Sequence, residues 1–444
     1  MSTVSPARRV AYDVVRRVFE NEAYADRAFR AESAGLTDRD RALARRLAYG
    51  TVQRARTLDH AIETLGRRPV RKLDPPVRAA LRLGAYQLAY LDGVPRYAAV
   101  NESVELVRRA RLERAVPFAN AVLRRLADGA RTLVESLPEG TAREAALCHS
   151  YPDWIAETWW RELGPDAARA LMVVQNEEPE TAVRLVRGSL EGRHDLLIPA
   201  AWVVERVDED ALAEGRIWPQ SRGSQLVGHT VGSESGDRTL DLCAAPGGKA
   251  TMLAGAVVAV ELDEARAERL EQNARRLGAV NVTVVRADGR ELPPGLAGFD
   301  RALVDAPCSG LGVLASRPDL RWRAEPLPDL QRELLHAAIE RTKQGGTIVY
   351  STCTINSVEN EDVVDAVVAS GTARIDETLG DDWPSFAHPT RHAFLQTLPH
   401  VHGTSGFFIA RLVVTTNAGV AEQEWHENVT ELARFRDVRC PDGR

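Results

Sequence analysis

Apolar residues in the first third of the chain recur at the spacing of amphipathic helices. Two runs, from Val10 to Val18 and from Leu81 to Leu91, repeat apolar residues every three to four positions and carry arginines on the opposing positions. Glycine and proline interrupt the pattern at intervals, as at Gly35, Gly50 and Pro95. The pattern predicts an all-α domain over residues 6–130.

The spacing of amphipathic helices ends near residue 130, and helix and strand patterns follow it. Small and polar residues around Pro138 and Gly140 predict a linker over residues 131–145. The segment YPDWIAETWWRELG predicts an amphipathic helix whose tryptophans, Trp154 and Trp159, favour a core position over a base-stacking platform. Two β-like runs follow, TAVRLVRG and AAWVVERV, so we expect a small α+β (RRM-like) module over residues 146–233.

Strand and helix patterns alternate from residue 234 to residue 414. Five strands are predicted at TLDL, VVAVELD, NVTVVRADG, FDRALVDAPCSG and TIVYS, and the second is almost continuously apolar, as in a buried parallel sheet. A helix is expected at about Leu330–Thr342. This alternation predicts a doubly wound α/β, Rossmann-like domain over residues 234–414, followed by a polar tail over residues 415–444.

The first of these strands leads into a Gly-rich turn, LDLCAAPGGKA. Glu261 follows Asp241 by 20 positions and ends the second strand, where a carboxylate can accept hydrogen bonds from both hydroxyls of a ribose. The turn lacks the full GxGxxG pattern of dinucleotide-binding proteins. These residues therefore predict a nucleoside cofactor without specifying which one.

Polar or reactive residues end the other predicted strands, namely Asp288, Asp305, Cys308 and Cys353. The carboxyl ends of parallel strands form one ligand crevice, so we expect these residues to converge. If the fourth and fifth strands are neighbours, their spacing of about 4.8 Å brings two thiols within reach of one substrate ring. A thiolate can add to an electron-poor ring carbon, although a buried cysteine is often only a small apolar residue.

Charge is unevenly distributed along the 444 residues. The net charge is −6, yet residues 1–130 hold 25 Lys and Arg against 15 Asp and Glu. A basic surplus at one end indicates a polyanion such as nucleic acid, with a solvated Arg-rich helical face as the alternative. The chain has three lysines, and one of them, Lys249, lies inside the Gly-rich turn.

The five cysteines are scattered and form no CxxC pair, which argues against a disulfide framework or a zinc site. The chain has no apolar run of about 18 residues and no signal-peptide pattern at its start. We therefore expect a cytoplasmic monomer with neither a metal nor a membrane partner.

Several of these segments resemble known families. DRDRALARRLAYGTVQR, LDPPVRAALRLGAYQLAYLDGVP and VPFANAVLRRLA resemble the NusB-like RNA-binding domain found before some RNA methyltransferases. DLCAAPGGKA, VDAPCSGLGV with RPDLRW after it, YSTCTINSVENE and GFFIARL resemble, in this order, the motifs of the RNA 5-methylcytosine methyltransferases of the RsmB (Fmu/Sun) type. Together the resemblance covers residues 6–412.

The resemblance implies S-adenosyl-L-methionine as methyl donor and a cytosine of small-subunit (16S) rRNA as substrate. It implies Cys353 as the covalent nucleophile, Cys308 in release of the methylated base, and Asp305 in contact with base and cofactor. The cofactor-binding residues that it implies are Cys243, Ala244, Ala245, Pro246, Gly247, Gly248, Lys249, Glu261, Asp288 and Asp305. Family members commonly have Asp where this chain has Glu261, which keeps the ribose contact with a longer side chain.

Two alternatives remain at this stage. Within enzymes, the target could be a tRNA or DNA cytosine instead of rRNA. In a different class, the chain could be a non-catalytic RNA-binding assembly factor that keeps the fold without the reaction, although two reactive cysteines at strand ends favour the enzyme.

Overall fold

The computed structural model of the protein describes residues 4–293 and 295–416, and these residues form two compact units. One unit contains the chain up to Glu178 together with a separate segment, Leu314–Ala324. The other contains Pro179–Val313 and the chain from Glu325 onward. The predicted tail over residues 415–444 lies almost wholly outside the described residues, as does Cys440.

The first unit is helical, as the apolar spacing predicted. Side chains from both predicted runs, including Val14, Val15, Leu81 and Leu83, are completely buried in its core. Its α-helices are α1 (Pro6–Glu20), α2 (Ala25–Glu32), α3 (Asp38–Gln53), α4 (Ala55–Gly66), α5 (Pro75–Tyr90), α6 (Arg96–Arg109), α7 (Val116–Glu135), α8 (Ala142–His149), α9 (Asp153–Leu163) and α10 (Pro165–Val174).

The helical unit extends beyond the predicted domain boundary at residue 130. Helix α7 runs to Glu135, and α8 begins after Thr141 in a capping box, in which Thr141 Oγ1 accepts from the Glu144 amide and Glu144 accepts from the Thr141 amide. The irregular connection is thus shorter than the predicted linker of 131–145. Trp159 is fully buried edge-to-face against Tyr151, so the start of the predicted module packs with the helical unit.

The segment Leu314–Ala324 packs inside the helical unit although its sequence neighbours belong to the other unit. Arg321 is almost completely buried there, and its guanidinium donates to the carbonyl oxygens of Gln53 at 3.0 Å and Ser150 at 3.2 Å and to Asn176 Oδ1 at 3.0 Å. The Trp322 indole donates to the Val52 carbonyl at 2.7 Å. These bonds satisfy backbone acceptors at the end of α3 and in the α8–α9 connection.

The second unit begins with a small antiparallel sheet of four strands in the order β2-β3-β1-β4. Its strands are β1 (Ala182–Leu185), β2 (Arg193–His194), β3 (Ala201–Val203) and β4 (Ile217–Pro219), with α11 (Glu209–Ala213) and α12 (Arg222–Thr230) beside them. The β-like runs in this region were predicted, and the strands are shorter than those runs.

A larger sheet of eight strands follows, with the order β10-β12-β9-β8-β5-β6-β7 and β11 paired to β12. Strands β5 to β9 are parallel, and β12 is antiparallel to β9. This topology confirms the Rossmann-like prediction. The strands are β5 (Arg238–Asp241), β6 (Ala256–Glu261), β7 (Val282–Arg286), β8 (Phe299–Asp305), β9 (Thr342–Thr352), β10 (Ala373–Ile375), β11 (Phe394–Thr397) and β12 (Phe407–Val414).

Helices cover both faces of this sheet: α13 (Glu264–Leu277), α14 (Pro328–Arg341), α15 (Glu361–Val368), α16 (Leu379–Asp382) and α17 (Pro399–His402). Strand order reverses at β5 and β8, the position where open α/β sheets bind ligands. None of the helices in the described part of the chain has the length and apolar character needed to cross a membrane.

Candidate active site

The Gly-rich turn after β5 is held against the start of α13. Ala244 donates its amide to the Val260 carbonyl at 3.0 Å, which ties the turn to β6. Gly247 has φ of +101°, and a Cβ at this position would lie 2.5 Å from Leu270 Cδ1. A Cβ on Gly248 would lie 2.8 Å from Trp218 Nε1. Both positions therefore favour glycine, which lets the turn pack closely against Leu270 and Trp218.

Lys249 ends the turn in a fixed position. Its Nζ lies 2.6 Å from Asp305 Oδ2 and 5.1 Å from the centre of the Phe407 ring, and only 11% of the Lys249 side chain is exposed. Ser351 Oγ donates to the other Asp305 oxygen at 2.8 Å. The Gly-rich turn, β8 and β9 thus meet at one buried ion pair, close to where a substrate ring would bind.

The two predicted thiols lie beside this ion pair. Strands β8 and β9 are parallel neighbours with Asp305 opposite Ser351. The loop after β8 and the end of β9 bring Cys308 Sγ to 3.4 Å from Cys353 Sγ. The expectation that these strand ends converge is confirmed for Asp305, Cys308 and Cys353.

The surroundings of the two thiols differ in charge. A hydrogen bond from Cys308 lowers the pKa of Cys353, and the Lys249 cation lowers it further against the effects of burial and of Asp305. The same hydrogen bond raises the pKa of Cys308, as do burial and the nearby Glu359 carboxylate. Cys353 is therefore the more acidic of the two thiols.

Two other groups around the turn are buried. Burial, with a contribution from the Asp305 charge, raises the pKa of Asp241 to about 7, and Lys249 only partly opposes this rise. Burial also raises the pKa of Cys243 well above its ordinary value. Cys243 thus packs against the core, where burial disfavours its thiolate.

The two expected acidic cofactor ligands differ in their surroundings. Glu261 is buried at the end of β6, where its carboxylate accepts from the Asp263 amide at 3.1 Å and pairs with Arg266 at 3.1 Å. Asp288 follows β7, and hydrogen bonds from Arg290 lower the pKa of its carboxyl group. Both carboxylates are thus engaged by residues that follow them within five positions in the sequence.

Sequence reasoning did not single out several residues that build this site. Ser351 and Phe407 contact the Asp305–Lys249 pair, while Glu359 and Asn360 hold the loops that carry the thiols. All four lie inside the segments YSTCTINSVENE and GFFIARL. The polar residues around Cys353 were therefore a usable sign of this site. Their spacing in the sequence did not show which loop each of them bonds to.

One group of possible metal ligands occurs elsewhere among the described residues. Ligand atoms of Glu139, Cys148 and His149, all in the helical unit, lie within 4.8 Å of one another. His149 Nε2 lies 2.8 Å from Glu139 Oε2.

Comparison with known proteins agrees with this site. Residues 229–413 match the family described as 16S rRNA methyltransferase RsmB/F, and residues 5–128 match the NusB family. The chain is 36% identical to "Putative methyltransferase Rv1407" of Mycobacterium tuberculosis, covering 92% of this chain and 96% of that protein. It is 30% identical to "Ribosomal RNA small subunit methyltransferase B" of Escherichia coli, covering 91% and 98%.

Two solved structures share the fold. The crystal structure of PH0851 matches with a TM-score of 0.72 at 23% identity, covering 93% of this chain and 99% of that chain. NSun6 from Pyrococcus horikoshii with SFG matches with a TM-score of 0.53 at 22% identity, covering 61% and 100%.

The sheet order and the family matches together define a methyltransferase that uses S-adenosylmethionine and acts on RNA. Within that class, the chain belongs to the 16S rRNA methyltransferase RsmB/F family, with a NusB domain at its front.

Proposed function

We propose that this protein transfers a methyl group from S-adenosyl-L-methionine to C5 of a cytosine in small-subunit (16S) rRNA through a covalent bond between Cys353 and C6. The observation that carries the proposal is the pair of thiols 3.4 Å apart beside the Lys249–Asp305 ion pair. Cytosine C5 is too weak a nucleophile to accept a methyl group unaided, so a thiolate that first adds to C6 has a definite chemical use.

The residues of the turn fit the proposed cofactor. The two glycines let the turn pack closely against Leu270 and Trp218 at the carboxyl end of β5, and the Glu261 carboxylate can accept from ribose hydroxyls. Asp288 and Asp305 complete the proposed binding set. When bound, S-adenosyl-L-methionine supplies a methyl group on a positively charged sulfur.

Addition forms the bond from Cys353 Sγ to C6, and the C5–C6 π electrons move to make C5 nucleophilic. A proton or hydrogen bond at N3, delivered from the Asp305–Lys249 pair, stabilises this charge. Cys353 is then a neutral thioether, so the anion that raised the pKa of Cys308 is gone, and Cys308 can lose its proton to water. After methyl transfer, Cys308 takes the C5 proton, the N3 proton returns to the Asp305–Lys249 pair, the C5=C6 bond re-forms and Cys353 leaves as the thiolate.

The RNA target is supported by the RsmB/F match and by the basic surplus of the NusB domain. Bisulfite sequencing of 16S rRNA tests it in a strain without the gene, complemented by the wild-type protein or by Cys353→Ala. We expect one cytosine to be protected only with the wild-type protein. Protection that appears in tRNA and not in 16S rRNA would replace the proposed substrate, and protection restored by Cys353→Ala would overturn the covalent route.

A further inference from the structure

A cavity of about 540 Å³ lies in the helical unit, between the α4–α5 connection and the α6–α7 connection. Four exposed cations line it, Arg68 and Lys72 from the first connection and Arg111 and Arg114 from the second. These side chains come from two segments about forty residues apart in sequence. The helical fold therefore gathers positive charge in one concave surface.

The cations of this cavity lack acidic partners. Within the part of the chain that the structure describes, none of the four forms an ion pair or a side-chain hydrogen bond, whereas many other arginines of the unit do, such as Arg8 with Glu102. Two carboxylates, Asp74 and Glu113, also line the cavity and leave a net charge of +2. Like charges held together without partners are unfavourable, so a ligand that supplies negative charge would stabilise them.

An aromatic ring completes the lining. Phe118 is half-buried, and the Arg68 guanidinium lies 5.3 Å from the centre of its ring. A planar cation over an aromatic ring can stack with a base while contacting the neighbouring phosphate.

We propose that this cavity binds the sugar-phosphate backbone of single-stranded RNA, at residues different from those that carry out methyl transfer. Phosphates would contact Arg68, Lys72, Arg111 and Arg114, and Phe118 would lie against a base or ribose. The inference rests on RNA being the substrate, but it concerns affinity and not chemistry. Measurements of RNA affinity therefore test it separately from the methyl-transfer activity.

The test is fluorescence anisotropy with the full-length protein and a labelled 30-nucleotide single-stranded RNA between 50 and 200 mM KCl. In Arg68→Gln/Arg111→Gln we expect an affinity about tenfold lower at 50 mM KCl and a salt slope smaller by about 1.4, for two lost phosphate contacts. The control is Arg9→Gln/Arg39→Gln, which removes two exposed arginines of the same unit that lie outside the cavity.

Equal losses of RNA affinity in both double variants, or no loss in Arg68→Gln/Arg111→Gln, would overturn the proposal. Duplex DNA of the same length and inorganic pyrophosphate serve as competitors. If either competes as strongly as unlabelled single-stranded RNA, the cavity binds polyanions in general and not RNA in particular. Loss of methylation by the wild-type protein would refute the proposed function while leaving the binding result intact.

A second inference concerns Glu359 and Asn360, which lie between Cys353 and α15. Glu359 is fully buried, and one of its oxygens accepts from the Ser309 amide at 2.9 Å, directly after Cys308. It also accepts from Gln331 Nε2 at 3.0 Å and from the Leu327 amide at 3.1 Å. The carboxylate therefore fixes the loop that carries Cys308.

The next residue fixes the segment that carries the other thiol. Asn360 Oδ1 accepts from Thr352 Oγ1 at 2.5 Å, and Asn360 Nδ2 donates to the Thr354 carbonyl at 3.2 Å. Thr354 Oγ1 also lies 2.8 Å from Ser309 Oγ, which joins the two segments directly. We infer that Glu359 and Asn360 are positioning residues that set the separation of the Cys308 and Cys353 sulfurs.

Glu359→Gln tests this inference because it replaces a carboxylate oxygen, which accepts hydrogen bonds, with an amide NH₂ group, which cannot accept them. The side chain keeps its shape. We expect kcat to fall by about 100-fold, as a 1 Å displacement of reacting groups does, and protein–RNA adduct to accumulate on 16S rRNA because release depends on Cys308. Diamide should form the Cys308–Cys353 disulfide more slowly than in the wild type.

Glu361→Gln is the matched control, since Glu361 pairs with His388 at 2.9 Å and, among the described residues, forms no hydrogen bond with the segment of Cys308 or that of Cys353. If Glu359→Gln fails to fold, Asn360→Ser carries the same two readouts from the other segment. A folded Glu359→Gln variant with wild-type turnover and a wild-type rate of disulfide formation would overturn the inference.

Discussion

Cys308 Sγ lies 3.4 Å from Cys353 Sγ, and the charges around the pair differ: Lys249 favours the anion on Cys353, whereas Glu359 disfavours it on Cys308. The two cysteines therefore differ in acidity, and Cys353 is the more acidic thiol. This difference supports the proposed roles of Cys353 as nucleophile and Cys308 as proton carrier.

The first prediction concerns the ionisation of Cys353. Cys308→Ala removes the S–H that stabilises the thiolate, so the pKa of Cys353 should rise and its alkylation by iodoacetamide should reach half-maximal rate at higher pH. Mass spectrometry of the Cys353 peptide at a series of pH values measures this shift.

Lys249→Gln should shift the same alkylation profile in the same direction, because it removes a cation that lowers the pKa of Cys353. Lys343→Gln is the control, since Lys343 is an exposed lysine paired with Asp300. An alkylation profile that does not move in either Cys308→Ala or Lys249→Gln would show that the thiolate is not stabilised as described.

The second prediction concerns the Gly-rich turn. Gly247→Ala forces both a positive φ and a Cβ contact of 2.5 Å with Leu270, so it should weaken binding of S-adenosyl-L-methionine by at least about tenfold. Gly345→Ala has a similar φ of +78° but open space around its Cβ, so it isolates the backbone cost. Calorimetric titration with the cofactor should show a lower affinity for Gly247→Ala than for Gly345→Ala. Equal affinities of the two variants would contradict the role of the Leu270 contact.

The third prediction concerns Asp241, whose pKa burial raises to about 7. The folded protein holds this proton more tightly than the unfolded chain, so the contribution to stability is fully present below the unfolded pKa and is lost as pH rises through about 7. Asp241→Asn should therefore be more stable than the wild type at pH 8 and lose that advantage near pH 4.

Urea denaturation at the two pH values measures the difference in the free energy of unfolding. Asp300→Asn gives the opposite trend as a control, because neighbouring Lys343 and Arg238 outweigh burial and hold the pKa of Asp300 below its ordinary value. The same pH dependence in both variants would contradict the assignment for Asp241.

The fourth prediction concerns the buried guanidinium of Arg321. Arg321→Met leaves the Gln53 and Ser150 carbonyls and Asn176 Oδ1 without this donor, so the free energy of unfolding should fall by about 3 kcal/mol. Arg323→Met, which removes a more exposed arginine of the same segment, should cost less than about 1 kcal/mol. Equal losses would mean that the segment is not held by Arg321.

The sequence predicted the sheet and the convergence at its mouth because both depend on local rules. Alternating apolar runs define parallel strands, and polar residues at their ends must share one edge, so Asp305, Cys308 and Cys353 could be grouped from spacing alone. The capping box at Thr141 and Glu144 was equally local, and reading it would have shortened the predicted linker.

The placement of RPDLRW was not predictable in this way. Arg321 bonds to Gln53, Ser150 and Asn176, residues that lie between 145 and 268 positions away in sequence. No periodicity or spacing connects such distant groups. Glu359 likewise bonds to Ser309 fifty positions earlier, so its part in the site needed the structure.

The central claim is that Cys353 forms the covalent bond to the substrate and Cys308 releases it. Full-length protein, 16S rRNA transcripts and S-adenosyl-L-methionine test it when adducts are resolved on a denaturing gel, with ordinary cytidine or with 5-fluorocytidine, whose C5–F bond blocks release. We predict a trapped adduct for the wild-type protein only with 5-fluorocytidine, an adduct for Cys308→Ala also with ordinary cytidine, and none for Cys353→Ala. An adduct that persists in Cys353→Ala, or methylation by that variant, would contradict the account.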